Sequence, residues 1–190
     1  MTILLDKVIA ATLLVMLSPI MLIIAVLVAL DGSPSIYSHR RIGHNNKSFN
    51  CYKFRTMNRI IGLSPEQQAE LKREGKLVND PRITRIGSFL RRTSLDELPQ
   101  LYNVLRGDMS MVGPRPITEQ ELERYGDNAQ YYLSVRPGIT GLWQVSGRST
   151  LNYDQRIELD TRYVMERSFM GDVRILLRTI VIVLTGRGAY

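Results

Sequence analysis

The chain has 190 residues, 44% of them hydrophobic, with 25 Lys and Arg against 18 Asp and Glu for a formal net charge of +7. This leaves room for one compact domain plus a membrane element, too little for two large domains, and excludes wholesale disorder. A single cysteine, Cys51, and only His39 and His44 exclude an intramolecular disulfide, a cysteine-based zinc cluster and histidine-rich metal chemistry, so any metal must be a hard ion on carboxylates and phosphates.

Val8 to Leu30 is an apolar run broken only by Thr12, Ser18 and Pro19. It exceeds the roughly 20 residues that span a bilayer. It does not read as a cleavable signal, because Asp6 and Lys7 cancel before it and no small-residue cleavage site follows. Pro19 removes a backbone donor and crowds the carbonyl near Val15, a defect of about 3 kcal/mol that the Ser18 hydroxyl can relieve. Two readings stand: a kinked spanning helix, or a helix–break–helix that enters and leaves by the same face. The residues alone favour the kinked span. Next come His39, Arg40, Arg41, Lys47, Lys53, Arg55 and Arg59, with Asp31 the only acid in that stretch, so the soluble part is expected in the cytoplasm.

Asp31-Gly32-Ser33-Pro34 marks a turn, and Ser35 to Met57 suggests a short hairpin. Ser64 caps a polar helix that starts at Pro65 and runs to about Gly75, before a break at Asn79-Asp80-Pro81. Ile83 to Arg92 sets Ile83, Ile86, Phe89 and Leu90 among arginines, an amphipathic helix suited to a membrane surface. Thr93 to Glu97 starts a further helix, with Ser94 and Glu97 at capping-box spacing, Pro99 in its tolerant first turn and an end near Gly107. Val112 to Pro116 is a stiff loop that aims Arg115. Ile117 to about Ser134 reads as helix, then comes a glycine-rich stretch from Arg136 to Arg148. Asn152 to Arg167 is helical, and so is Asp172 to Leu184, whose Val173, Leu176, Leu177, Ile180, Val181 and Leu184 form an apolar face beside Arg174 and Arg178.

Asp96 and Glu97 are the first candidates for chemistry. At a helix start the dipole favours their ionised forms, so one can attack phosphorus while the other holds a divalent cation. The plainer account is that Glu97 completes a capping box, and on the bare pair it is the more economical one. Arg115 between two prolines and Arg148 after Ser146-Gly147 are pre-positioned donors for a diphosphate, or for lipid headgroups. Lys53 and Arg55 alternate with apolar residues as one edge of a strand does, with the same two readings. Trp143, Tyr131 and Tyr132 can stack on a nucleoside, anchor at the interface or pack in the core. His39 and His44 read as solvated, and Cys51 as a small buried residue.

In order along the chain stand Lys53-Phe54-Arg55-Thr56-Met57, Asp80-Pro81-Arg82-Ile83-Thr84, Ser94-Leu95-Asp96-Glu97-Leu98-Pro99-Gln100, Gly113-Pro114-Arg115-Pro116 and Arg136-Pro137-Gly138-Ile139-Thr140-Gly141. With the Ser18-Pro19 membrane segment they closely resemble the bacterial sugar transferase family, the monotopic phosphoglycosyltransferases, from about Asp6 to the terminal Gly186 to Tyr190. Any one motif is weak, and the ordered set is specific. The resemblance implies an α/β, mostly helical fold. Residues 1–31 would form a re-entrant membrane helix broken at Ser18-Pro19, reversing the preference for a kinked span. Residues 32–190 would form a cytosolic catalytic domain with amphipathic interfacial helices and a small β-hairpin.

It further implies that Asp96 is the nucleophile and that Glu97 helps hold Mg²⁺. Arg91, Arg115 and Arg148 match positions associated with substrate phosphates, and Lys53 and Arg55 match the basic strand near the pair. The implied reaction moves a hexose-1-phosphate, of glucose or galactose, from a UDP-sugar to undecaprenyl phosphate through an aspartyl intermediate, releasing UMP at the cytoplasmic face of the inner membrane and starting exopolysaccharide or other surface glycan synthesis. Members usually carry a basic pair just before the aspartate that matches Asp6, where this chain has Thr2 and Ile3. Larger relatives carry an additional amino-terminal multi-helix membrane domain, which this chain is expected to lack. A non-catalytic membrane scaffold is disfavoured by the intact Asp96-Glu97 pair. Nucleic-acid binding rests on net charge alone, without a recognised module, so membrane lipids are the expected partner of the basic surface.

Overall fold

The computed structural model describes residues 2–30, 34–58, 62–74, 77 and 80–185. The turn at Asp31 to Ser33, Arg59, the helix end at Gly75, Asn79 and the terminal Gly186 to Tyr190 lie outside the described residues.

The apolar run forms α1 (Ile3–Ala29), started by Thr2, whose hydroxyl accepts from the Leu5 N–H. The helix is long and apolar enough to cross a membrane, and it continues through Pro19. Pro19 has no N–H for the Val15 carbonyl, and the Ser18 hydroxyl donates to that carbonyl instead at 2.8 Å, the repair expected from the sequence. One stripe of α1 packs on the rest of the protein along its whole length. Ala10, Leu13, Leu14 and Leu17 join the main core, and Met21, Ile24, Ala25 and Val28 join a cluster with Phe54 and Leu90. The opposite stripe, including Leu4, Val8, Val15, Met16, Leu22 and Ile23, is exposed. Both ends are tied down. The Ser110 hydroxyl donates to the Asp6 carboxylate near one end, while at the other Ser35 donates to the Ala25 carbonyl and Arg55 Nη2 to the Val28 carbonyl at 3.1 Å.

The expected hairpin is present: β1 (Ile36–Ile42) pairs antiparallel with β2 (Ser48–Phe54) across a turn in which Asn45 and Asn46 take positive φ. α2 (Pro65–Glu74) has the predicted start, with Ser64 and Gln67 exchanging backbone and side-chain bonds. α3 (Arg85–Thr93) is capped by Thr84, buries Leu90 and leaves Phe89 half exposed.

Three segments differ from expectation. The helix expected from Thr93 is delayed. Ser94 is left-handed (φ 58), Leu95–Glu97 make a single 3₁₀ turn, and α4 (Gln100–Arg106) follows, closed by left-handed Gly107. No capping box forms, because the Glu97 carboxylate goes to Lys53 and Arg115 and the Ser94 hydroxyl accepts from Arg148. The helix expected over Ile117 to Ser134 is split into α5 (Glu119–Glu123) and α6 (Ala129–Leu133) by a 3₁₀ turn at Gly126–Asn128, where Gly126 has positive φ. Tyr132 of α6 then plugs the core, its hydroxyl donating to the Ile42 carbonyl. The glycine-rich stretch holds β4 (Gly138–Thr140), paired in parallel with β3 (Ser110–Val112), and then α7 (Leu142–Ser146). Strands this short leave no legible period.

α8 (Tyr153–Met165) starts at Asn152 with a capping box to Gln155, and α9 (Phe169–Thr185) buries Ile175 while exposing Leu177, Ile180 and Val181. Cys51 is buried in the main core with Leu101, Val104, Met109 and Tyr163, as its sequence setting suggests.

Candidate active site

The 3₁₀ turn between α3 and α4 carries Asp96 and Glu97, and four separate elements aim basic side chains toward it. β2 supplies Lys53, whose Nζ lies 2.6 Å from Glu97 Oε1. The loop after β3 supplies Arg115, whose Nη1 lies 3.1 Å from the same oxygen. α3 supplies Arg91, which donates to Thr56 Oγ1 at 2.9 Å and acts electrostatically on Asp96. The 3₁₀ turn after α7 supplies Arg148, itself at positive φ, whose Nη2 donates to Ser94 Oγ at 2.8 Å.

Local backbone explains this convergence. Asn103 on α4 is fully buried and bonds β2 on both sides, accepting from the Tyr52 N–H at 3.1 Å and donating to the Asn50 carbonyl at 2.7 Å. It locks the strand that carries Lys53 to the helix that follows the carboxylates. The Arg115 loop is laced to β4 by Gly113 N–H to Thr140 O at 2.9 Å and Gly138 N–H to Pro114 O at 2.8 Å. A Cβ on Gly138 would stand 2.1 Å from the Gly113 nitrogen, so this approach requires glycine. Arg55 does not join Lys53. It is 6% exposed, and its bond to the Val28 carbonyl turns it to the end of α1.

The two carboxylates are driven apart electrostatically. Asp96 is 9% exposed. Burial and the neighbouring Glu97 charge push its pKa up, against the pull of Lys53, Arg115 and Arg91. Burial also opposes charge on Glu97, but Lys53 and Arg115 outweigh it and hold Glu97 well below the usual carboxylate range. The sequence expected a helix dipole to favour ionised Asp96. That helix begins only at Gln100, so desolvation decides instead. A split pair of this kind is the arrangement that lets neighbouring carboxylates take different roles.

Among the described residues no group of three or more His, Cys, Asp or Glu gathers to cage a metal. Glu97 Oε1 is engaged by two cations, which leaves Oε2 and the Asp96 oxygens as hard donors. This set fits Mg²⁺, which binds through one or two carboxylates and completes its shell with phosphates and water.

Trp143 was open to a nucleoside, interfacial or core role. It is 8% exposed, with the Arg115 guanidinium 5.9 Å and the Arg156 guanidinium 4.9 Å from its ring centre. Tyr132 is core, and Tyr131 is only partly buried beside it. Asn103 and Arg156 escaped the sequence reading, which held Thr56 only as part of the Lys53–Met57 motif. Only Asn103 left a signal, as a polar residue between the apolar Leu101 and Val104 on one short helix.

Comparison with known proteins places this constellation. The bacterial sugar transferase profile matches residues 1–186. The undecaprenyl-phosphate galactose phosphotransferase of Salmonella typhimurium is 49% identical over 97% of the chain and 40% of its own length. The exopolysaccharide production protein ExoY of Rhizobium meliloti is 47% identical over 97% of the chain and 86% of its own length. The UDP-glucose:undecaprenyl-phosphate glucose-1-phosphate transferase of Escherichia coli is 38% identical over 97% and 40% respectively. The chain thus spans about two fifths of the length of the Salmonella and Escherichia relatives. Matched by the family profile across nearly the whole sequence, the chain belongs to the bacterial sugar transferase family.

Proposed function

We propose that this chain transfers a hexose-1-phosphate from a UDP-sugar to undecaprenyl phosphate, or another polyprenyl phosphate, with release of UMP, and so starts synthesis of an exopolysaccharide or other surface glycan at the cytoplasmic face of the inner membrane. The observation that carries this reading is Asp96, a largely buried carboxylate whose pKa burial and Glu97 push up, beside a carboxylate that Lys53 and Arg115 keep ionised. The relatives' names supply the reactants. The Salmonella protein is named for galactose phosphate transfer and the Escherichia protein for glucose-1-phosphate transfer, so UDP-galactose and UDP-glucose are the first donors to test.

In the first step an Asp96 oxygen attacks the phosphorus that bears the sugar. The bond from that phosphorus to the bridging oxygen breaks, and UMP leaves with the electron pair. In the second step an oxygen of the polyprenyl phosphate attacks the same phosphorus. The aspartyl–phosphorus bond breaks, and Asp96 returns as a carboxylate. Lys53, Arg91, Arg115 and Arg148 lessen the repulsion between the nucleophile and the diphosphate. Glu97, through its remaining oxygen, and Asp96 would hold Mg²⁺, which when bound neutralises charge on the diphosphate.

The lipid acceptor demands that the site stay at headgroup depth. Two ties to one body, Asp6–Ser110 near the start of α1 and Arg55–Val28 near its end, support a re-entrant residues 1–31 segment over a spanning one. A spanning helix would carry one end about 30 Å away across the hydrocarbon. The exposed apolar faces of α1, α3 and α9 support contact of the 32–190 domain with membrane lipids.

The test is UMP release by nanodisc-held protein with Mg²⁺, undecaprenyl phosphate and a panel of UDP-sugars, beside Asp96→Asn. Release with one donor, lost in the variant, is expected. Silence across a broad donor panel from folded protein would remove the reading.

A further inference from the structure

Resting on that reading, we propose that Arg156 is a further substrate-binding residue, supplying charge to the phosphate that stays with the nucleotide. Its guanidinium lies 4.9 Å from the Trp143 ring centre, and its Nε donates to the Leu151 carbonyl at 3.1 Å. Two constraints fix a flexible side chain, and among the described residues no carboxylate forms an ion pair with it. A held but unbalanced cation beside a diphosphate site is a donor waiting for an anion.

Its position selects which anion. Trp143 also carries Arg115 at 5.9 Å, and Arg115 reaches Glu97. Arg156 therefore continues the basic wall outward from the carboxylate pair, on the side where α8 packs against α6 and α7. The outer face of α8 is polar, with Asp154, Gln155, Glu158 and Arg162 exposed. The apolar faces that meet lipid belong to α1, α3 and α9. A lipid phosphate arrives from the apolar side, and the nucleotide end of the donor extends along the polar one.

Trp143 is the single tryptophan of the chain, so its fluorescence reports on this stack alone. UMP and UDP are titrated into wild type, Arg156→Gln and Arg156→Lys in nanodiscs, with an undecaprenyl phosphate titration as a separate arm and thermal melting to verify folding. Arg156→Gln is expected to weaken UMP and UDP binding about tenfold, with Arg156→Lys between it and wild type, since one charge-assisted contact is lost or shortened. Wild type that binds nucleotide but turns over no donor would count against the reaction and not against Arg156. Equal nucleotide affinity in folded Arg156→Gln would overturn the proposal. So would a loss confined to the lipid phosphate, or a wild type that binds neither nucleotide.

Discussion

At the residue scale the decisive contrast is between two adjacent carboxylates in unlike surroundings. In the proposed mechanism Asp96 attacks as a carboxylate, and its pKa is raised by burial and by Glu97, so donor kcat/KM is expected to climb with pH along a limb lying above the usual carboxylate range. A profile already flat at pH 5 would remove that assignment. Lys53→Met takes away the 2.6 Å partner of Glu97, so the Glu97 pKa should rise. UMP release is then expected to fall by roughly 100-fold or more, as for loss of an electrostatic stabiliser. Asp160 behaves differently. Burial lifts its pKa to about 8 even though the Tyr125 hydroxyl donates to it at 2.9 Å. Its folded pKa exceeds its unfolded one, so its contribution is fully present below about pH 4 and is lost as pH rises through about 8. Asp160→Asn, which removes the ionisation, should flatten the dependence of melting temperature on pH over that window. An unchanged slope would refute the shift.

At the element scale, the sequence made the long pieces legible and concealed the short ones. α1, the hairpin, α2, α8 and α9 announce themselves through apolar length, strand composition, caps and period. The parallel β3–β4 pair and the 3₁₀ turn of the dyad are each three residues long, too short for a period, and they exist because tertiary contacts hold them. The Ser94–Glu97 spacing was misleading for the same reason. A capping box is a local option, and Lys53, Arg115 and Arg148 offered these side chains stronger partners. The positions of Lys53, Asp96, Glu97 and Arg115 in one cluster were implied by resemblance, whereas the means of assembly, Asn103 and the glycine contacts, were not. Gly87 gives one test of this assembly. A Cβ there would stand 2.1 Å from the Thr56 carbonyl, so Gly87→Ala must displace α3 from the segment that Arg91 grips. A lower melting temperature and reduced UMP release are expected together, and retention of both would contradict the packing.

At the scale of the whole molecule, α1 makes the protein what it is. A helix long enough to cross a bilayer lies along the body whose chemistry it serves, with one stripe in the core and the other exposed. If both ends stay on one side of the membrane, Thr2→Cys and Ser38→Cys should both react with an impermeant maleimide from the cytoplasmic side only. Labelling of Thr2→Cys from the opposite side would restore a spanning helix. The buried native Cys51 gives a low background for this experiment.

The central claim is that Asp96 carries the sugar phosphate between donor and lipid. Intact-protein mass spectrometry after incubation with the active UDP-hexose and Mg²⁺, with no lipid acceptor present, tests it most directly. The account predicts a gain equal to one hexose phosphate on the wild type, cleared by adding polyprenyl phosphate and absent from Asp96→Asn. An unmodified wild type that turns over only when both substrates are present would contradict it and indicate direct transfer.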